Sequence, residues 1–277
     1  MTVCDSAAIV GLGLVGGSIA RDLAARGVRV SGFDAHDAHL AKALQEGIAH
    51  DALDASLAGV SDVDVIVIAV PVDEAVGVLR RIAGVGTRAR LITDVGSTKA
   101  RIVAAAGDVG LGSRFVGAHP MAGGHRSGWD ASASGLFDGA RVYLSPAVGA
   151  TDDALKLARA FWETLGGRPV CIDAGEHDRT LAWTSHLPHV ASAAVALALA
   201  RIGFGRHDLG PGGRDITRLA GSSPAMWTAI ARENAMEIDA ALAAAEDEIA
   251  GFRHALATAD ADGLRERFTA ARDWFER

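Results

Sequence analysis

Residues 7–10 form a short apolar run that meets a glycine-rich turn at once, the pattern of a buried strand entering a tight connection. A helical stretch follows over 18–26 and ends at Gly27, a suitable C-terminal stop. Residues 28–34 read as a second strand. Residues 63–70 are an almost continuous Val/Ile run, as expected of a parallel strand covered on both faces. Residues 90–95, 114–118 and 141–144 repeat the theme, and 165–173 carry the last strand pattern. Strands alternating with helical segments predict a doubly wound α/β sheet.

Beyond about Asp173 the pattern changes. No strand is expected, and the segments are long, alanine-rich and helical. The predicted organisation is therefore an α/β domain over 1–172 and an all-α domain over 173–277. One helix is expected to start at Pro224, with Ser223 as its N-cap. Its apolar positions Trp227, Ile230, Ile238, Leu242, Ile249, Phe252 and Leu256 continue as one stripe at helical spacing. Leu264, Phe268 and Phe275 make a second stripe. A helical half with this much apolar surface needs a partner, so the expected state is a homodimer through the C-terminal helices.

Charge narrows the possible partners. The formal net charge of -7 argues against a phosphate-tracking surface, so nucleic acid is not an expected partner. A small anionic ligand would need a local group of Arg or His. The two cysteines, Cys4 and Cys171, have no zinc-ribbon or redox spacing and suit a reducing cytoplasm. Residues 1–6 lack the basic and apolar regions of a signal peptide. The longest apolar stretch, 190–200, is too short to span a bilayer, so no membrane association is expected.

The glycine turn carries the first chemistry. Gly11, Gly13 and Gly16 stand after a strand and at the opening of a helix, as a Rossmann-type dinucleotide site requires. Gly11 permits the tight turn, Gly13 admits a pyrophosphate against the backbone, and Gly16 allows helix–strand contact. Leu12, Leu14 and Val15 complete the turn, and the helix N-terminus favours the phosphates. Asp34 ends the second strand, where a carboxylate binds a ribose 2′-hydroxyl and repels a 2′-phosphate. NAD is thus expected over NADP. Val70 and Asp94, at later strand ends, join the expected cofactor contacts.

Four further segments carry polar groups at useful places. His119, in 117–128, follows a strand end and suits proton acceptance near neutral pH. Ser97, in 93–99, is an N-cap candidate as well as a hydroxyl at the same sheet edge. His186 and His189 stand three apart on a predicted helix, without a third ligand at comparable spacing, and no metal is expected. Arg218 offers a planar fork for a carboxylate, or a surface ion pair.

Taken together, residues 9–18, 94–97, 119–123, 185–189, 214–218 and 224–227 resemble the prephenate/arogenate dehydrogenase family of tyrosine biosynthesis. The resemblance spans nearly the whole chain. It implies NAD-dependent oxidative decarboxylation of prephenate, or of arogenate, a small anionic substrate in either case. It implies that His119 accepts the proton of the ring hydroxyl and that Ser97 holds that hydroxyl in register. Arg218 would bind a substrate carboxylate, with His189 and His186 supporting the substrate. Trp227 would pack near the substrate or in the core. Many members carry glutamate where this chain has His125, and a cationic His125 would disfavour the ammonium of arogenate. No internal stretch reads as a regulatory ACT-type domain, so any tyrosine feedback is expected to act by competition at the active site. Two other readings are a β-hydroxyacid dehydrogenase or imine reductase, and a non-catalytic NAD sensor. The former usually depend on a lysine in the helical half, and none occurs from Asp173 onward. A sensor needs no proton acceptor.

Overall fold

The structure, a computed structural model, describes residues 3–124 and 126–277. It separates into two compact units. The first holds the residues up to Thr180 together with Gly221–Asn234, and the second holds Leu181–Ala220 together with Ala235–Arg277.

In the first unit a five-stranded parallel sheet is built from β1 (Ser6–Val10), β2 (Arg29–Phe33), β3 (Asp51–Ala52), β4 (Val65–Ile68) and β5 (Leu91–Asp94), in the order β3-β2-β1-β4-β5. This is a Rossmann-type half-sheet whose order reverses at β1, where ligands bind beyond the strand ends. Its two faces explain the unbroken apolar runs. Ala7, Ile9, Val65 and Val67 enter one core, while Ala8, Val10, Ile66 and Ile68 enter the other. Helices α1 (Leu14–Ala24), α2 (Asp37–Gln45), α3 (Val72–Val85) and α4 (Ala100–Asp108) connect or follow these strands.

The parallel sheet is the Rossmann-type sheet expected, and the remaining strands form a second layer beside it rather than extending it. β6 (Val116–Pro120), β7 (Arg141–Pro146) and β8 (Arg168–Cys171) form a separate three-stranded sheet. β6 and β7 are antiparallel, and a single parallel bridge, Ile92 to Phe115, relates this layer to β5. The reason lies in the connection. A parallel return needs a crossover helix, whereas an antiparallel one does not. Between β6 and β7 the described residues hold short turns, Trp129–Ala131 among them, and no α-helix. Helix α5 (Asp152–Thr164) follows β7, its N-terminus capped by the Thr151 hydroxyl at 3.2 Å from Ala154 N.

The later segments are α6 (Ala174–Leu181), α7 (Leu187–Arg201), α8 (Pro211–Ile216), α9 (Pro224–Glu233), α10 (Ala235–Ala257) and α11 (Ala261–Phe275). No strand occurs after Cys171 among the described residues, as expected. Ser223 caps α9 as expected, accepting from Met226 N. The single stripe from Trp227 to Leu256 is instead broken at Asn234, which leaves helical geometry between α9 and α10. Its side chain is buried and donates to the Asp178 carbonyl at 2.8 Å, a bond that fixes the break. The α/β unit also holds α6 up to Thr180 and all of α9, which the sequence placed in the helical half. Ala229 and Ile230 fill the second core of the sheet, and Trp227 packs against it. In the other unit Met236, Ile249, Leu256, Phe268, Trp274 and Phe275 are exposed apolar side chains on α10 and α11.

Candidate active site

The glycine turn separates three steric demands. Gly11 has φ +100°, and a Cβ there would stand 2.3 Å from the Ala69 carbonyl oxygen. Its N–H donates to Phe33 O at 2.7 Å, closing the turn across β2. A Cβ on Gly16 would lie 1.9 Å from Gly11 O and 2.8 Å from Ala69 Cβ, so α1 packs directly on the turn and on the end of β4. A Cβ on Gly13 would meet nothing within 4 Å. That glycine, the N-cap of α1, leaves backbone open at a helix N-terminus, as an approaching phosphate requires. Leu12 is buried, Leu14 and Val15 partly so, and Val70 is partly buried just past β4.

Asp34 stands immediately past β2. Its carboxylate accepts from Leu12 N at 2.7 Å and from His36 N at 2.8 Å, which ties the acid to the glycine turn. Burial opposes its ionisation, but these N–H groups and His39 together hold its carboxyl below the usual range. The structure adds two neighbours that no motif in the sequence announces. His36 Nδ1 and His39 Nδ1 lie 3.4 and 3.3 Å from the same Asp34 oxygen. Among the described residues these three make a group with metal-ligand spacing. Asp34 is also where the turn places a ribose-binding acid, so that group belongs to the cofactor end of the sheet.

At the other end of the parallel sheet β5 and β6 are joined by one carboxylate. Asp94 accepts from Gly96 N at 2.8 Å and from Ala118 N at 3.3 Å, and it pairs with Lys99 Nζ. The pair is sealed, with side-chain exposures of 0% for Lys99 and 1% for Asp94. Burial pushes the Lys99 ammonium down from its usual range, and Asp94 opposes that shift. Asp94, expected among the cofactor contacts, thus turns its carboxylate inward, where it shapes the β5–α4 loop. Ser97 is partly buried in this loop, but it is not the helix cap. Lys99 holds the N-cap position, and the cap group comes from far along the chain: Asp178 accepts from Lys99 N at 2.7 Å and from Ala100 N at 2.9 Å.

His119 lies within β6, opposite Tyr143 of β7. Its Nδ1 is 2.9 Å from Nε2 of His177, whose own Nδ1 is 2.8 Å from Asp178 Oδ1. His177 is completely buried. Sequence reasoning misses His177, Asp178 and Lys99. Adjacent His177 and Asp178 form a visible His-Asp pair, but no spacing connects them to a residue 58 positions earlier.

In the second unit, residues Ala182–His186 form a π-helical turn between α6 and α7. Such turns are often found at functional sites. His186 is buried there. His189 is partly buried, and its Nδ1 lies 2.9 Å from Ser185 O, so the Nδ1–H donates and Nε2 is the acceptor in the neutral ring. Burial pushes the His189 imidazole below its usual range; the nearby Arg218 charge acts in the same direction, and the Ser185 bond opposes both. Arg218 itself is exposed at the start of the short turn Arg218–Gly221. His125 lies outside the described residues.

Residues 19–171 match the family model for the prephenate dehydrogenase nucleotide-binding domain, and 173–270 match that for the prephenate dehydrogenase dimerization domain. This chain belongs to the prephenate dehydrogenase family. The prephenate dehydrogenase of Bacillus subtilis is 35% identical over 283 residues, covering 98% of this chain and 75% of that protein. Among solved structures, the prephenate dehydrogenase of A. aeolicus in complex with hydroxyphenyl propionate and NAD+ superimposes with a TM-score of 0.89 at 28% identity, over 98% of this chain and 97% of that one. The arogenate dehydrogenase of Synechocystis gives a TM-score of 0.81 at 27% identity, over 98% and 99% of the two chains. The family's two-part organisation, a nucleotide-binding domain followed by helices, is the one the sequence pattern predicts. No helix among the described residues is long and apolar enough to cross a membrane.

Proposed function

We propose that this member of the prephenate dehydrogenase family catalyses the NAD-dependent oxidative decarboxylation of prephenate, or of arogenate, with His119 as the base. The observation that carries the assignment of the base is the chain from His119 through His177 to Asp178, which holds one face of the imidazole inside the protein. The turn suits a dinucleotide: Gly13 leaves the α1 N-terminus open and Asp34 is held as a carboxylate beside it. Gly11, Gly13, Gly16 and Asp34 would hold NAD, which supplies the hydride acceptor when bound. His119 takes the proton from the oxygen of the hydroxyl group, and the carbon that bears this group gives up the hydride. The ring carboxylate then leaves as CO₂, and its bonding electron pair completes the aromatic ring.

Ser97 is proposed to hold the substrate hydroxyl, and Arg218 to bind a carboxylate through its two-pronged guanidinium. A neutral His189 offers Nε2 as an acceptor, as its depressed pKa favours. Pairing through the exposed apolar side chains of α10 and α11 gives a homodimer, in keeping with the family's dimerization domain. A cytoplasmic setting suits the exposed free thiol of Cys171. The deciding experiment is NADH formation, followed by absorbance, with prephenate and with arogenate in turn. Turnover of either supports the assignment, and turnover of neither overturns it.

A further inference from the structure

The geometry points to His177 as a positioning residue that, with Asp178, fixes which nitrogen of His119 is the base. This rests on the reading of His119 as proton acceptor, and it follows from the directions of four hydrogen bonds.

Asp178 is the fixed end of the chain. Its oxygens accept from Lys99 N and Ala100 N at the N-terminus of α4, a nine-residue helix, and Oδ1 is also 2.8 Å from His177 Nδ1. Backbone N–H groups at a helix N-terminus donate and favour a negative group. A carboxylate held this way only accepts, so the proton between it and His177 sits on His177 Nδ1. In a neutral ring the other nitrogen, Nε2, then carries a lone pair. Nε2 faces His119 Nδ1 at 2.9 Å, so the proton of that bond sits on His119 Nδ1. His119 is left with Nε2 as its basic nitrogen. When Nε2 takes the substrate proton, the new imidazolium keeps Nδ1–H directed at His177. That bond becomes charge-assisted, and Asp178 stabilises it through the second ring.

The surroundings hold the relay in place. His177 is fully buried, its ring meeting the rings of His119 and Tyr143 edge-on at centroid distances of 5.1 and 5.5 Å. Asp178 is also fixed through its backbone, whose carbonyl accepts from Asn234. One carboxylate thus caps α4 and orders two imidazoles, and its anchor in α4 begins where the β5–α4 loop containing Ser97 ends.

The test combines spectroscopy on the intact protein with two substitutions. Long-range ¹H–¹⁵N NMR of histidine-labelled wild type, with His119→Asn used to assign the signal, should show a protonated Nδ1 and an unprotonated Nε2 for His119. A proton on His119 Nε2 overturns the inference, because His177 then donates in the opposite sense. Glutamine at 177 can place an oxygen where His177 Nε2 stands, whereas asparagine can reach only the Asp178 side. We expect His177→Asn to lower kcat about 10²-fold with KM within about twofold, and His177→Gln to recover about tenfold of that loss. Equal losses in the two variants, or no loss in either, overturn the positioning role. The NMR readout needs no substrate, so it stands even if neither prephenate nor arogenate is turned over; that result would refute only the proposed reaction.

Discussion

Adding one methyl group at Gly16 and one at Gly13 should have different consequences, although both glycines belong to one short motif. Alanine at Gly16 puts its Cβ 1.9 Å from Gly11 O. Ordinary contact is ~3.5 Å, so the oxygen or the helix must move by about 1.6 Å. The oxygen belongs to a turn whose N–H is bonded across β2, and Ala69 blocks a neighbouring direction at 2.8 Å. Helix propensity alone would favour alanine by about 1 kcal/mol. Overpacking against backbone costs about 1–3 kcal/mol or more and outweighs that preference. Gly16→Ala should therefore lower Tm by about 2–8 °C and weaken NAD binding with it. Alanine at Gly13 meets nothing within 4 Å and sits at an N-cap, where the exchange is worth less than about 1 kcal/mol. Its Tm should stay near wild type while NAD affinity falls at least about tenfold, equivalent to about 1.4 kcal/mol. Thermal unfolding and fluorescence titration with NAD measure both effects. A Gly16→Ala protein as stable as wild type would refute the close approach of α1 to the turn. Unchanged NAD affinity in Gly13→Ala would refute the assignment of the open face to phosphate.

Lys99→Ala leaves the Asp94 carboxylate buried without its ion pair and should destabilise the protein by about 3–5 kcal/mol, read by urea unfolding; a loss under about 1 kcal/mol would show that Asp94 adapts alone. His119→Asn should keep NAD affinity and lower kcat by about 10² or more, and near-normal turnover would remove His119 from the role of base. Arg218→Ala should act mainly by raising KM, and an unchanged KM would leave the exposed guanidinium with no part in substrate binding. His189 has a depressed pKa, so the unfolded chain binds a proton that the folded protein resists between the usual imidazole value and the lower folded one. Stability should consequently fall as pH drops through that window, from about pH 6.5 downward. His189→Asn, which keeps a donor for Ser185 O, should lose less Tm between about pH 7.5 and about pH 5.5 than wild type, and identical losses would contradict the shift.

What could be read along the chain was whatever depends on local order. The apolar runs in β1 and β4 must be buried on both faces because nothing polar interrupts them, so their membership of a parallel sheet was legible. The roles of Gly11, Gly13 and Gly16 were legible because each follows from position within one turn. Ser223 was legible as a cap because a cap acts over three residues. His119, Ser97 and Arg218 were singled out as candidates from their motifs, and the family resemblance gave them proposed roles. The sequence could not show what holds His119. His177 and Asp178 lie in a helix 58 and 59 positions later, and only the tertiary fold brings them to the α4 N-terminus and to β6. The same fold overrode the local signal at Ser97, since Asp178 reaches the α4 N-terminus and leaves that hydroxyl without the capping task. The break at Asn234 escaped the helical periodicity, because apolar spacing continues through it while a buried amide bond to Asp178 sets the backbone. The separate β6–β8 layer has the same origin: strand patterns report burial, and only the fold decides which edge each strand joins. Periodicity and short motifs determined the elements and the cofactor turn. The buried polar network that orients the proposed base exists only in three dimensions, because its hydrogen bonds join groups whose separation along the chain carries no signal.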